Sequence, residues 1–146
     1  MAKTLNWWDQ FWLRFEFRRR SLTLGQKGER VARRFLQRKG LKIVAHSMRN
    51  IYGEIDLIAV DKRTLVFVEV KTRSSNFAGE PAEAVDDKKQ RHMTTAALTY
   101  LRKHRLLEHA ARFDVVTLVW SDEQHFPQVE HIENAFGPVG DFQMFG

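Results

Sequence analysis

Three charged side chains interrupt a stretch that otherwise has the composition of a protein core. The stretch GEIDLIAVDKRTLVFVEVKTR runs from Gly53 to Arg73, and Asp56, Glu69 and Lys71 stand among its Ile, Leu, Val and Phe residues. Buried charge costs free energy unless it is paired, solvated or bound to a metal ion. Two carboxylates can hold Mg²⁺, and a neighbouring ammonium can meet a phosphate. The residue types therefore indicate a candidate metal site.

The spacing predicts that these side chains meet across a β-hairpin. Side chains alternate faces along a strand, so Glu69 and Lys71 share one face of their strand, and Glu54 and Asp56 share one face of the preceding strand. If residues 62–63 form a two-residue turn, Asp56 lies opposite Glu69, and Glu54 lies opposite Lys71. A three-residue turn would instead place the two carboxylates on opposite faces of the sheet.

Opposed carboxylates on neighbouring strands would repel each other, because directly opposed Cβ atoms are about 5 Å apart. At least one pKa should then rise unless a divalent cation lies between Asp56 and Glu69. Lys71 is placed to meet a phosphate or an attacking water. The alternative is a structural ion pair of Lys71 with Glu54 or Glu69 at a solvated strand end, which contributes little to stability.

The elements that must position these residues predict an α/β domain with a mixed β-sheet of about five strands flanked by helices. We find no internal repeat and no second domain, and we divide the chain into an N-terminal extension (1–22), a main domain (23–134) and a tail (135–146). The predicted helices cover 24–39 and 82–104. The predicted strands cover 42–47, 54–61, 64–72, 112–120 and 128–133.

The first helix of the main domain brings another carboxylate toward the sheet. At 100° per residue, Glu29 lies about 60° from Ala32 and about 20° from Leu36, at the edge of the apolar face. Gly25 and Gly28 lie near the same face, where the missing side chains allow close approach to a sheet. Glu29 therefore lies on the edge of the apolar face and not opposite it.

Composition limits the partners and the metals. The formal charge of +6 and pI of about 9.9 favour a polyanionic partner such as nucleic acid. The chain has no cysteine, and its six histidines show no recognisable ligand spacing, so a bound metal should be a hard ion held by carboxylates. No signal peptide or spanning segment is evident, and we expect a cytoplasmic protein.

An aromatic stripe marks the N-terminal extension. Trp8, Phe11, Trp12 and Phe15 recur at the spacing of one helix face, and three arginines follow at 18–20. Such a helix could lie on a membrane surface or bind nucleic acid. We favour the simpler interpretation that the stripe docks on the domain or on a second copy of it.

Five blocks carry a resemblance to a known family over about residues 24–118. They are GQKGERVARRFLQRKG, RNIYGEIDLIAVD, LVFVEVKTR, EAVDDKKQRHMTTAALTYL and RFDVV. The acidic residue followed by E-x-K resembles the PD-(D/E)xK nuclease superfamily, although Ile55 replaces the usual preceding proline. The whole set resembles the bacterial YraN family of predicted endonuclease-like proteins, which is similar to archaeal Holliday-junction resolvases. This resemblance implies a restriction-endonuclease-like core.

The resemblance also implies roles for individual residues. Asp56 and Glu69 match the metal-binding carboxylates, Lys71 matches the catalytic lysine, and Glu29 matches the acidic residue of the first helix. The implied activity is Mg²⁺- or Mn²⁺-dependent hydrolysis of phosphodiester bonds, with branched or single-stranded DNA as the expected substrate. Resolvase-like enzymes act as pairs, so a homodimer is open. The alternative is a nucleic-acid-binding module of the same fold that cleaves nothing.

A basic group near the predicted site extends the expected contacts with nucleic acid. Lysine and arginine contacts to phosphates give affinity without reading sequence. The alternative is a solvated basic face, and the segment 74–81 is either a flap over the substrate or a connector. The candidate contacts are Arg73, Lys88, Lys89, Gln90 and Arg91.

Overall fold

The computed structural model describes residues 2–19, 22–74, 85–121 and 125–140. Its helices and strands in these ranges follow the order β1, α1, α2, β2, β3, β4, α3, β5 and β6. The helices are α1 (Trp7–Arg19), α2 (Leu24–Arg38) and α3 (Asp87–Lys103). The strands are β1 (Lys3–Thr4), β2 (Lys42–Asn50), β3 (Gly53–Asp61), β4 (Thr64–Ser74), β5 (Ala111–Trp120) and β6 (Gln128–Phe136).

The strands form one mixed sheet, which confirms the predicted α/β architecture. Their order is β1-β6-β5-β4-β3-β2, with β4 and β5 parallel and the other pairs antiparallel. The sheet has six strands instead of about five because the two-residue β1 adds to the edge of β6. Five of the strands were expected from the sequence, and β6 extends three residues beyond the predicted end.

The hairpin of β3 and β4 has the predicted register. Asp61 pairs with Thr64, and the pairing continues to Leu57 and Val68, so the turn consists of two residues. The first of these, Lys62, has φ of 57°, in the left-handed region that a tight hairpin turn requires. The site residues therefore lie at the end of the hairpin away from this turn.

Strand β4 is central, and its two faces are covered by different helices. Val66 and Val68 pack in one apolar cluster with residues of α2, while Leu65 and Phe67 pack in another with residues of α3. This alternation sends Glu69 toward the α3 side, as the period of two along a strand predicts.

Helix α2 approaches the sheet closely through a glycine. A Cβ atom at Gly28 would overlap Oγ1 of Thr72, so only glycine fits there without movement of the helix or the strand. Gly25 instead faces open space, so the predicted close approach holds at one of the two glycines. A capping box between Thr23 and Gln26 fixes the start of the helix.

Helix α3 begins later than predicted. Asp86 caps it by accepting a hydrogen bond from the backbone N–H of Lys89, so Val85 and Asp86 precede the first turn. The sequence missed this start because the apolar pattern continues upstream of the cap. Residues 75–84, which include the predicted start at 82 and most of the segment 74–81, lie outside the described residues.

The aromatic stripe of helix α1 is not buried against the domain, so the predicted docking on the domain is wrong, and docking on a second copy stays a prediction. Trp8, Phe11, Trp12 and Phe15 are 47–54% exposed. The opposite face is buried because it carries Leu13 and the salt-bridged Asp9. No helix in the described ranges is long and apolar enough to cross a bilayer.

Candidate active site

The two hairpin carboxylates lie where β3 and β4 separate. The backbone ladder ends at Leu57 and Val68, and one residue further the Asp56 carboxylate accepts a hydrogen bond of 2.8 Å from the backbone N–H of Val70. The side chain thus takes the place of a strand partner and is held beside Glu69. The alternation of β3 breaks here, because Ile55 packs in the same cluster as Ile58.

Glu69 is a buried carboxylate whose two oxygens have different partners. The residue is 3% exposed, and the ammonium of Lys71 lies 3.3 Å from Oε1. The ammonium of Lys89 lies 3.5 Å from Oε2, which is an ionic contact. Oε2 nevertheless has no hydrogen-bond partner among the described residues. A buried oxygen without a hydrogen bond is costly unless another ligand satisfies it.

Helix α2 brings Glu29 to the cleft that Asp56 lines, on the side of the helix that the sequence places at the edge of its apolar face. Ser47 Oγ donates a hydrogen bond of 2.9 Å to Glu29 Oε1. Ser47 has φ of 50°, so a left-handed residue interrupts β2 at the point where it passes the helix. Sequence reasoning missed Ser47, because a serine within a predicted strand gives no sign of a left-handed conformation.

The pKa of Asp56 reports how the three carboxylates interact. Burial raises this pKa, and the negative charges of Glu69 and Glu29 raise it further. The hydrogen bond from Val70 and the charge of Lys89 lower it, but the balance leaves a pKa of about 7. Asp56 is therefore a carboxylate that binds a proton near neutral pH unless a cation takes its place.

The site residues fit a hard divalent cation. Asp56 and Glu69 offer oxygen ligands, and Oε2 of Glu69 is a buried acceptor without a hydrogen bond. Within the described ranges, no three acidic or histidine side chains converge to form a complete metal-binding group. Mg²⁺ commonly uses one or two carboxylates and completes its shell with water and phosphate oxygens, so an open pair is sufficient.

Asp56 and Glu29 line a cleft with a volume of about 420 Å³. Lys71 and Glu54 both line it, but the predicted contact between them is wrong: Glu54 lies 3.4 Å from Nε of Arg49, and Lys71 pairs with Glu69. The prediction assumed that the side chains of β3 alternate between the two sheet faces as far as Glu54. The alternation breaks near Asp56, so the predicted pairing does not extend to Glu54. The ion pair of Lys71 with Glu69, one of the alternatives considered from the sequence, is present.

Of the five predicted nucleic-acid contacts, two lie at the site and three lie elsewhere on α3. Arg73 lines the cleft. Lys89 does not line it but contacts the buried Glu69 from α3. Gln90 instead donates a hydrogen bond of 3.0 Å to the backbone oxygen of Val85. Lys88 and Arg91 lie exposed on the first turns of α3. The sequence could not assign Lys89 to the site without knowing where α3 begins.

Comparisons with known proteins place the four candidate residues within a shared domain. A family model described as "Uncharacterised protein family UPF0102" matches residues 28–118, a range that contains Glu29, Asp56, Glu69 and Lys71. A UPF0102 protein of Rhodopirellula baltica is 44% identical over 97% of this chain and 85% of its own. A UPF0102 protein of Geobacter metallireducens is 49% identical over 78% of this chain and 92% of its own. A third, from Rhodococcus opacus, is 43% identical over 80% and 98%.

Proposed function

The chain belongs to the UPF0102 (YraN) family, and we propose that it is a metal-dependent nuclease that hydrolyses phosphodiester bonds in DNA. One observation carries the proposal. The buried oxygen Oε2 of Glu69 has no hydrogen-bond partner among the described residues. Burial, and then the negative charges of Glu69 and Glu29, raise the pKa of the neighbouring Asp56 to about 7. This arrangement is unfavourable in the protein alone and favourable around a divalent cation.

Asp56 and Glu69 would hold the cation, and Glu29 would face it across the cleft. A bound Mg²⁺ or Mn²⁺ would polarise the scissile phosphate and lower the pKa of a water molecule. The hydrogen bond from the Val70 backbone fixes one oxygen of Asp56, and the hydrogen bond from Ser47 fixes Glu29. The carboxylates are thus oriented before a ligand arrives, which reduces the cost of assembling the site.

Lys71 supplies the positive charge nearest to Glu69. Its ammonium lies 3.3 Å from Oε1 of Glu69, and its side chain is only 19% exposed. A largely buried ammonium in this position would orient an attacking water or stabilise the negative charge that develops on the phosphate. Lys89, on the other oxygen of Glu69, would contact a neighbouring phosphate.

A cleavage assay tests the proposal. Wild type, Asp56→Ala and Lys71→Ala are incubated with branched, flapped, single-stranded and linear duplex DNA in Mg²⁺ or Mn²⁺. We expect each variant to lose at least about a hundredfold in rate, as removal of an electrostatic stabiliser typically costs. Lys62→Ala is the matched control, since it removes a lysine at the far end of the same hairpin. Activity that survives both site substitutions would contradict the proposal.

A binding module that does not cleave is the second candidate, and one observation favours it. Lys71 and Lys89 already neutralise Glu69 in the absence of a cation, as in a structural ion-pair network. This candidate predicts that Mg²⁺ and Mn²⁺ do not bind at Asp56. Calorimetric titration of wild type against Asp56→Asn separates the two, because only a metal site loses binding heat on the substitution.

A further inference from the structure

A continuous groove leads away from the active-site cleft along α2 and β2. A cavity of about 320 Å³ adjoins the cleft, and a further cavity of about 420 Å³ adjoins that one. We call these two cavities the α2–β2 groove. Their shared walls are polar: Gln26, Glu29 and Ser47 lie between the cleft and the first cavity, and Arg30, Arg33 and His46 lie between the first cavity and the second.

The groove is positively charged along the part furthest from the cleft. Arg30, Arg33 and Arg34 line it there, against a single acidic residue, Glu16. Glu16 pairs with Arg30 at 3.3 Å, and Arg34 lies 3.6 Å from the buried Asp9. Among the described residues, Arg33 makes no salt bridge or side-chain hydrogen bond. An arginine in this state is available to a phosphate.

The aromatic face of α1, made of Trp8, Phe11, Trp12 and Phe15, borders this groove. The guanidinium of Arg34 lies over the Trp12 ring, 5.8 Å from its centroid, so the basic wall and the first ring are in contact. Phe11 lies against Trp12 with their ring centroids 5.5 Å apart. Trp8, Phe11 and Trp12 are about half exposed. Aromatic rings therefore continue the surface where the arginines end.

We propose that the aromatic face of α1 and the α2–β2 groove bind single-stranded nucleic acid and lead it to the active-site cleft. Sites for single strands combine a basic groove for the backbone with rings on which bases stack. Here the rings and the arginines are contiguous, and the groove ends at Glu29. The destination of the strand rests on the proposed function, whereas its binding does not.

The shape of the surface favours a strand over a membrane or a second copy of the chain. The arginines lie in the walls of a concave groove, which a flat bilayer does not enter. A two-fold contact between two copies would bring the same patch of each against the other. Such a contact would oppose the arginines beside Trp12, and like charges brought together repel. A single strand can stack its bases on the rings and pair its phosphates with the arginines.

Binding is measured on the full chain in EDTA, so that cleavage does not contribute. The probe is a fluorescently labelled single-stranded oligonucleotide, compared with its duplex over a range of salt concentrations. Trp8→Ala/Phe11→Ala/Trp12→Ala should weaken single-strand binding by about a hundredfold or more, since each stacked base contributes roughly a tenfold factor. Duplex binding should change much less.

The arginines have a separate signature. Arg30→Ala/Arg33→Ala should lower the slope of log K against log salt by about 1.4 for a single strand, because two phosphate contacts are lost. Lys62→Ala/Arg63→Ala removes the same charge from the exposed hairpin turn and should leave the slope unchanged.

Several outcomes would overturn the proposal. One is wild-type single-strand affinity in the aromatic triple variant. A second is an aromatic triple variant that no longer binds vesicles of anionic lipid but still binds the oligonucleotide. A third is an aromatic triple variant that sediments as a monomer where the wild type sediments as a dimer, again with oligonucleotide binding intact. Failure of the nuclease proposal gives a different result. A protein that binds the strand but cleaves nothing with Mg²⁺ or Mn²⁺ retains the groove and loses only the catalytic role.

Discussion

Asp56 and Asp114 are both aspartates in strands of one sheet, but their surroundings are opposite. Asp114 is fully buried, and Arg112 and His131 together with the backbone N–H of Asn134 satisfy both of its oxygens at 2.7–3.1 Å. Asp56 accepts one backbone hydrogen bond and faces the negative charges of Glu69 and Glu29. The first environment is complete within the protein, whereas at Asp56 the charge of Lys89 does not offset burial and the repulsion from Glu69 and Glu29.

The two pKa values move in opposite directions for this reason. Burial raises the pKa of Asp114, but hydrogen bonds from His131 and Arg112 outweigh it, so the net pKa is below its usual value. Burial raises the pKa of Asp56, and like charges add to that rise. Burial alone therefore does not identify a functional carboxylate. A buried carboxylate whose neighbours also repel its charge does indicate one.

The largest expected effect is loss of stability in Asp114→Ala. The substitution leaves the guanidinium of Arg112, which is 17% exposed, without its buried partner. Removing one member of a buried ion pair costs about 3–5 kcal/mol. Urea unfolding at pH 7 should show this loss. Asp56→Ala is the comparison, and an equal loss of stability in both variants would remove the distinction between the two sites.

The second effect is a pH-dependent gain of stability in Asp56→Asn. Because the folded pKa is raised to about 7, the folded state binds more protons than the unfolded state between about pH 4 and 7. Wild-type stability therefore falls as pH rises through this window, and the asparagine variant should lack the fall while still accepting the Val70 hydrogen bond. We expect a gain on the order of 2 kcal/mol at pH 8. Thermal melts at pH 5 and pH 8 measure it, and a gain at pH 5 of the same size would contradict the assigned cause.

The third effect is stabilisation by a divalent cation. Mg²⁺ or Mn²⁺ at ten times its Kd should raise the free energy of unfolding by about 1.4 kcal/mol at pH 8, because the cation binds only the folded site. Asp56→Asn should lose this gain, while Glu54→Gln should retain it. If Asp56→Asn retained the full gain, the cation would have to bind elsewhere.

The smallest effect is expected at Glu54, a cleft carboxylate that pairs with Arg49. Its contact with Arg49 is largely solvent-exposed, and exposed pairs contribute about 0–1 kcal/mol. Glu54→Gln should therefore leave the urea midpoint almost unchanged and cleavage within a few-fold of wild type. A large loss of cleavage would assign Glu54 a direct role and add it to Asp56 and Glu69 as a carboxylate of the active site.

Local patterns were sufficient to predict the hairpin and the position of Glu29 at the edge of the apolar face of α2. A two-residue turn and strict alternation determine which residues of β3 and β4 face each other, and the 100° helix period places Glu29 at the edge of α2. These relations depend only on neighbouring residues. They fail at Ser47, whose left-handed φ interrupts β2, and at Asp56, where the alternation breaks.

Tertiary contacts decided what the sequence could not. Helical periodicity shows which aromatic residues of α1 share a face, but not which face is covered. The covered face contains Asp9, because Arg38 and Arg34 of α2 pair with that carboxylate at 3.1 and 3.6 Å. Lys89 likewise reaches Glu69 only because Asp86 sets the start of α3.

The hydrogen bond from Val70 to Asp56 also gives the site a spectroscopic probe. The backbone ladder ends before this residue, so a carboxylate, not a carbonyl, accepts its amide proton. The chemical shift and solvent exchange rate of that one amide should follow the ionisation of Asp56 through pH 7 and respond to Mg²⁺. An NMR titration of Val70 thus measures the charge state of the site without any substrate or turnover.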